Sequence, residues 1–176
     1  MRLFFALWPE ADTRERIADA AAALRLTEGA RLVPQQNYHL TLAFVGEVRG
    51  SQVEVLRLIG RGQRAPGCAI TIDAYEYWPE SQVVVAVARE PPAALAGLWI
   101  HLRQDLALHP AAPRRNRRQP PLRAHVTLAT KVSQAPVLPE MSPFAWSARS
   151  FSLIRSDTSG AHSIYTVVDT WPLLDE

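Results

Sequence analysis

The chain predicts an α+β fold built as two related lobes around a cleft, and three observations carry that prediction. The pattern His-x-Thr-Leu-Ala occurs twice, at residues 39–43 and 125–129, each time within an apolar, strand-like run. A proline precedes each histidine by five residues, Pro34 before His39 and Pro120 before His125. The order strand, helix, proline-bearing loop, His-strand also runs along the chain twice. Alternate side chains of a strand face the same side. His39 therefore shares a face with Thr41, and His125 with Thr127. Leu40 and Leu42, or Val126 and Leu128, point the other way into a core. Residues 1–176 form one domain of two pseudo-symmetric lobes on this reading, with the two His-x-Thr strands in the central cleft.

The elements follow in order. Residues 3–8, Leu-Phe-Phe-Ala-Leu-Trp, make a first strand. Asp12-x-x-Glu15 has the form of a capping box, and Ile17, Ala20, Ala21 and Leu24 then make a helical stripe. The His39 strand runs to about Val45, with Gly46 and Gly50 marking a turn. Ser51-x-x-Glu54 opens a second helix with Val55, Leu58 and Ile59 on its apolar side. Residues 69–78 and 83–88 form a hairpin around Pro79-Glu80-Ser81-Gln82. Pro91-Pro92 leads into a third helix with Leu95, Leu98, Trp99, Leu102 and Leu106 at helical spacing. The His125 strand follows, and residues 150–154 and 163–171 close the chain as a strand pair.

Composition narrows the class. At 176 residues and 48% hydrophobic the chain can bury a sizeable core. A single cysteine, Cys68, excludes an internal disulfide and a cysteine-based zinc site, and its apolar run suits a small buried hydrophobe. The N-terminal apolar run is too short for a membrane span and lacks a small-residue cleavage site, so a cytoplasmic protein without membrane attachment is expected. The net charge of +2 excludes nothing, but its distribution is uneven: Arg114-Arg115-Asn116-Arg117-Arg118 lies just upstream of the second motif. Such a run can neutralise phosphates or simply sit in solvent.

The paired motif suggests acid–base chemistry on a phosphate. Histidine has an ordinary pKa of about 6.5, so one imidazole can act as base while a second, protonated, acts as acid. Two such groups on opposite sides of a phosphorus suit in-line displacement. Each threonine hydroxyl can donate to a non-bridging oxygen and offset charge in the transition state. No metal or other cofactor is needed when imidazoles handle both protons. A zinc site competes poorly, because catalytic zinc normally takes three protein ligands and no third stands at an obvious spacing. His101 and His109 fall on the third helix or its end, and His162 in a loop.

At these residues the chain resembles the two-histidine phosphoesterase superfamily, and within it the LigT-like RNA 2',3'-cyclic phosphodiesterases, also called 2'-5' RNA ligases. The resemblance rests on Arg2-Leu3-Phe4-Phe5-Ala6-Leu7, on His39-Leu40-Thr41-Leu42-Ala43-Phe44-Val45-Gly46, on His125-Val126-Thr127-Leu128-Ala129, and on the closing stretch from Leu153 through Val167. It implies two antiparallel sheets flanked by helices, one per lobe. It also implies metal-independent opening of a ribose 2',3'-cyclic phosphate on RNA or a nucleotide to leave a 2'-phosphate. His39 and His125 would be the acid/base pair, and Thr41 and Thr127 the phosphate ligands. Joining of RNA ends through a 2'-5' linkage is the same chemistry run backward. A non-catalytic RNA-binding module is the other alternative, which four intact motif residues disfavour.

The chain departs from the family pattern at Ala124, where a proline often stands, and at Thr130-Lys131, where an arginine is common. Lys131 is the only lysine, and it is the candidate replacement for that charge, although it cannot reproduce a bidentate arginine contact. Arg123 shares the odd-numbered face with His125 and is the preferred substrate-binding arginine. Among Phe4, Phe5, Tyr38 and Phe44, Phe5 and Tyr38 are taken forward as candidates to stack on a base. A monomer is the simplest expectation, since one chain supplies both histidines.

Overall fold

The computed structural model describes residues 1–109, 122–158 and 163–175. The arginine run at 114–118 and His162 lie outside the described residues. The strands are β1 (Arg2–Leu7), β2 (Arg31–Leu32), β3 (Leu40–Glu47), β4 (Cys68–Ile72), β5 (Ala74–Trp78), β6 (Val83–Val87), β7 (His125–Thr130), β8 (Phe144–Ala148), β9 (Ser150–Asp157) and β10 (Ile164–Pro172). The helices are α1 (Ala11–Ala22), α2 (Gly50–Gly62) and α3 (Ala93–Leu108), with a 3-10 turn at Gln35–Asn37.

The expected α+β class holds, with antiparallel strands and three helices. The two lobes are half-sheets of one larger sheet, ordered β10-β9-β1-β3-β7-β6-β5, with β2 also paired to β7. The halves meet where β3 and β7 pair, at Leu40 opposite Val126. Because those strands are antiparallel, one residue either way sets His39 opposite Thr127 and Thr41 opposite His125. The two copies of the motif thus meet at the Leu40–Val126 pair.

The run at 69–78 is not one strand. It breaks at Asp73, whose carboxylate accepts from the Arg89 backbone and guanidinium, each at 3.1 Å. The chain before the break, β4, pairs with β8 in a separate two-stranded sheet. After the break, β5 joins β6 as the expected hairpin.

Helix starts differ from expectation. Glu10 is the N-cap of α1 and makes no side-chain cap, so the Asp12/Glu15 box does not form. Helix α2 begins at Gly50, and the Gln52 side-chain oxygen accepts the Arg49 N–H at 2.8 Å. That start displaces the Ser51/Glu54 box, and the buried stripe differs from the expected one: Leu56 and Ile59 are buried while Leu58 is 55% exposed. On α3, Leu95, Leu98 and Leu102 are buried as the spacing predicts. The core gathers Leu40, Leu42, Val126 and Leu128 from the two motif strands under these helices, which leaves the opposite face of the motifs free to line a cleft.

Candidate active site

Strand alternation works as expected along β7: His125 and Thr127 are half-buried and open to the cleft, while Val126 and Leu128 are buried. His39 stands one residue before β3 and Thr41 is its second residue. All four motif side chains line a single cleft of about 530 Å³. Its lining also includes Arg2, Arg31 and Lys131, and among the described residues no carboxylate. A concave site with three cations, a set of hydroxyls that includes Thr41 and Thr127, and no opposing acid among the described residues suits an anion. No three His, Cys, Asp or Glu side chains among the described residues stand together as a metal-ligand set.

Each imidazole is held the same way. His39 Nδ1 lies 2.7 Å from the Asn37 carbonyl, and His125 Nδ1 lies 2.5 Å from the Arg123 carbonyl. A carbonyl only accepts, so each Nδ1 carries the proton and donates. In the neutral ring, Nε2 is then the lone pair, free to take a proton; in the charged ring it is the proton to be given. Both rings rest on aromatic surfaces. His39 stacks on Trp8 at 5.7 Å between centroids, within 8° of parallel, with Phe4 and Tyr165 at 5.0 and 5.2 Å. His125 lies 4.5 Å from Trp78. Burial among these rings disfavours the imidazolium and pushes His39 down to about 4. The Asn37 carbonyl opposes that shift and the charge of His125 adds to it. Burial also lowers His125; the Arg123 carbonyl and the Glu76 carboxylate oppose the shift, while the Arg123 charge adds to it.

The other sequence candidates divide. Lys131 lines the cleft, at a left-handed backbone position (φ 57°) just past β7 that the Val132 N–H to Gln82 carbonyl bond supports at 2.9 Å. Arg123 does not line it. Its guanidinium pairs with Glu76 and lies 4.5 Å above the Trp78 ring. Phe5 and Tyr38 are corrected outright: both are buried in the core, and neither lines the cleft. Phe5 sits on the core face of β1, 6.0 Å from Trp171 and 6.4 Å from Phe151. Tyr38 shares the parity of Leu40 and Leu42, and burial raises its phenol pKa.

The aromatic residues that do face the cleft are Phe4, Phe44 and Tyr165. A register shift between β1 and β3 separates Phe5/Ala6 from Ala43/Thr41, so Phe44 returns to the cleft face although alternation from Thr41 would turn it away. Trp8, Trp78, Glu76 and Asn37 went unremarked in the sequence. The available signal was parity: Trp8 lies in phase with Phe4, Trp78 with Glu76, and Asn37 with His39.

Comparison with known proteins identifies the family. Residues 7–85 match the family described as LigT like phosphoesterase. A curated RNA 2',3'-cyclic phosphodiesterase of Escherichia coli (strain K12) is 35% identical over 174 residues, 98% of this chain and 96% of that protein. One of the same name from Thermus thermophilus is 29% identical, covering 100% of this chain and 92% of that protein. The crystal structure of E. coli LigT complexed with 3'-AMP superposes with a TM-score of 0.86 at 33% identity, covering 98% of this chain and 97% of that one. With nearly its whole length aligned on these relatives, and with both His-x-Thr motifs in one cleft, the chain belongs to the LigT-like family of two-histidine phosphoesterases, a family of enzymes.

Proposed function

We propose that the chain hydrolyses ribose 2',3'-cyclic phosphates at RNA ends to 2'-phosphates, using two imidazoles and no metal. The observation that carries this reading is the paired Nδ1–H anchoring, which leaves an Nε2 of each histidine free at one cation-lined cleft. The cyclic phosphate lies between the motifs, with the Thr41 and Thr127 hydroxyls donating to its non-bridging oxygens. A phosphate anion between the rings raises the proton affinity of both. His39 is held among three aromatic rings and His125 against one, so His39 is assigned the proton of the attacking water and His125 the departing ribose 3'-oxygen. Lys131, Arg31 and Arg2 attract the remaining backbone phosphates of an RNA strand, and Phe44 and Tyr165 offer faces for a base. One chain supplies both histidines, so a monomer suffices.

The test is turnover of an RNA ending in a 2',3'-cyclic phosphate by wild type, His39→Ala and His125→Ala, with and without chelator. Each single substitution should cost at least about 100-fold, within the usual range for general acid–base groups, and chelator should change nothing. Near-normal turnover by either variant removes the two-imidazole mechanism. A substrate with sulfur in place of the 3'-bridging oxygen needs no acid for departure, so it should restore His125→Ala and leave His39→Ala slow; the reverse outcome exchanges the roles. Supplying 2'-phosphate and 5'-hydroxyl ends alone is insufficient for joining; a cyclic phosphate with a 5'-hydroxyl end, assayed for a 2'-5' linkage, measures joining, in which the 5'-hydroxyl replaces water and the same bond to the 3'-oxygen breaks.

A further inference from the structure

Two residues before each histidine stands a residue that the proton chemistry does not use. Asn37 gives its carbonyl to His39 Nδ1–H at 2.7 Å, while its own side-chain Nδ2 donates to the Ser163 carbonyl at 2.9 Å, at the start of the β10 segment. Arg123 gives its carbonyl to His125 Nδ1–H at 2.5 Å, while its guanidinium pairs with Glu76 on β5. Glu76 also accepts the Trp78 indole N–H at 2.6 Å, and the Trp78 ring lies between partners, 4.5 Å from His125 and 4.5 Å from the Arg123 guanidinium carbon. Different residue types and different neighbours thus produce one arrangement beside each histidine.

We propose that Asn37 and Arg123 are the positioning residues of the two histidines, each bracing an imidazole with its backbone carbonyl and fastened at its side-chain end to a neighbouring strand segment, through Ser163 and Glu76 respectively. The physical need is clear from the topology. Asn37 and Arg123 both lie outside the strand ladders, in the segments that lead into β3 and β7. A carbonyl there holds a ring only as firmly as its own residue is held. The side-chain fastening supplies that rigidity, fixing both the tautomer and the direction of Nε2. Misplacement of a reacting group by about 1 Å can cost on the order of 100-fold in rate. For Arg123 this replaces the role of a substrate-binding cation, since its charge is already engaged by Glu76 and Trp78.

The catalytic part of the proposal rests on the proposed cyclic-phosphate reaction, so its test has a readout that needs no substrate. Nitrogen-15 spectra of the imidazoles in wild type should show the Nδ1–H tautomer for both rings. In Arg123→Ala the His125 signals should move toward a tautomer mixture while those of His39 stay in place, and Asn37→Ala should do the converse. With a cyclic-phosphate substrate, Arg123→Ala should lower kcat by about 10- to 100-fold with little change in KM. Glu76→Ala should reproduce that loss, and the double variant should be no worse than either single, because both act through one fastening. Arg123→Lys, which keeps the charge but not the planar group over Trp78, should recover part of it. A raised KM at unchanged kcat, losses that multiply, or imidazole spectra unmoved in both single variants would each overturn the proposal. Glu76→Gln keeps an acceptor for Trp78 while removing the charge, and its His125 spectrum decides the matter if Arg123→Ala does not fold. Failure of hydrolysis alongside the expected spectra would overturn the reaction and leave the bracing intact.

Discussion

A histidine among aromatic rings carries a measurable proton debt. His39 is lowered to about 4 in the folded chain against an ordinary 6.5 unfolded. Below pH 6.5 the unfolded state therefore binds a proton that the folded state resists. Stability falls as pH drops from 6.5 toward 4, by up to about 3 kcal/mol at 1.36 kcal/mol per pKa unit, and this contribution levels off below pH 4. Denaturant unfolding of wild type and His39→Gln at pH 7 and pH 4.5 checks this, with the variant expected to lose most of that dependence. In kcat/KM the same pair should give a bell lying acidward of ordinary histidines, with its acid limb near 4 and its alkaline limb below 6.5; the limbs are macroscopic properties of the pair. An optimum at or above pH 7.5 would contradict the buried, neutral imidazoles. Phe5 separates core from site. Phe5→Ala should cost about 3–5 kcal/mol of stability in thermal or chemical unfolding, and at a temperature where it remains folded its KM should match wild type. The choice between Phe4 and Phe5 was beyond the sequence because adjacent phenylalanines on a strand covered on both faces have no polar partner to mark which one meets the cleft.

At the level of elements, one helix contact is tight enough to predict. A Cβ built on Gly60 of α2 would lie 2.5 Å from the Trp171 ring. Trp171 is packed on Phe5 and Phe151, so its ring cannot swing away without disturbing both. Alanine gains about 1 kcal/mol of helix propensity over glycine, but overpacking here costs about 1–3 kcal/mol. Gly60→Ala should therefore lower the thermal midpoint, where an exposed glycine of the same helix, Gly62, has open space and should raise it. The elements themselves were largely legible: the β5–β6 hairpin, the α3 stripe and the closing β9–β10 pair fall where alternation and helical spacing place them. The helix starts were not. Serine and aspartate near a helix start resemble caps, yet Arg49 and Glu10 hold the N-cap positions because the preceding strand and turn fix where the helix can begin. The break at Asp73 was equally hidden, since what separates β4 from β5 is the choice of partner strand, β8 for one and β6 for the other.

The whole molecule sets the field that an RNA would meet. The net charge is only +2, but the cleft lining carries Arg2, Arg31 and Lys131 without a carboxylate among the described residues. Binding of a short RNA with a terminal cyclic phosphate to a slow His39→Ala variant should therefore weaken as salt rises. Lys131→Ala in that background should weaken it further and make the log–log salt slope shallower by about 0.7, the value for one single-strand phosphate contact. A slope unchanged by the substitution would remove Lys131 from the phosphate path. No helix among the described residues is long and apolar enough to cross a membrane.

By itself the sequence determined the two motifs that the structure brings into one cleft. Two His-x-Thr motifs, their alternation and their shared proline offset are local properties, and local properties survive without knowledge of the fold. It also determined the class of the architecture, because strand and helix periodicities are written within single segments. Tertiary structure alone decided which strands became neighbours, and so that the motifs cross antiparallel at Leu40 and Val126 and set each histidine against the other's threonine. It decided that Phe44 faces the cleft and Phe5 the core, because a register shift between two paired strands resets alternation. And it decided that Arg123 pairs with Glu76, 47 positions away, and lies over Trp78 beside His125, a meeting that no local pattern announces.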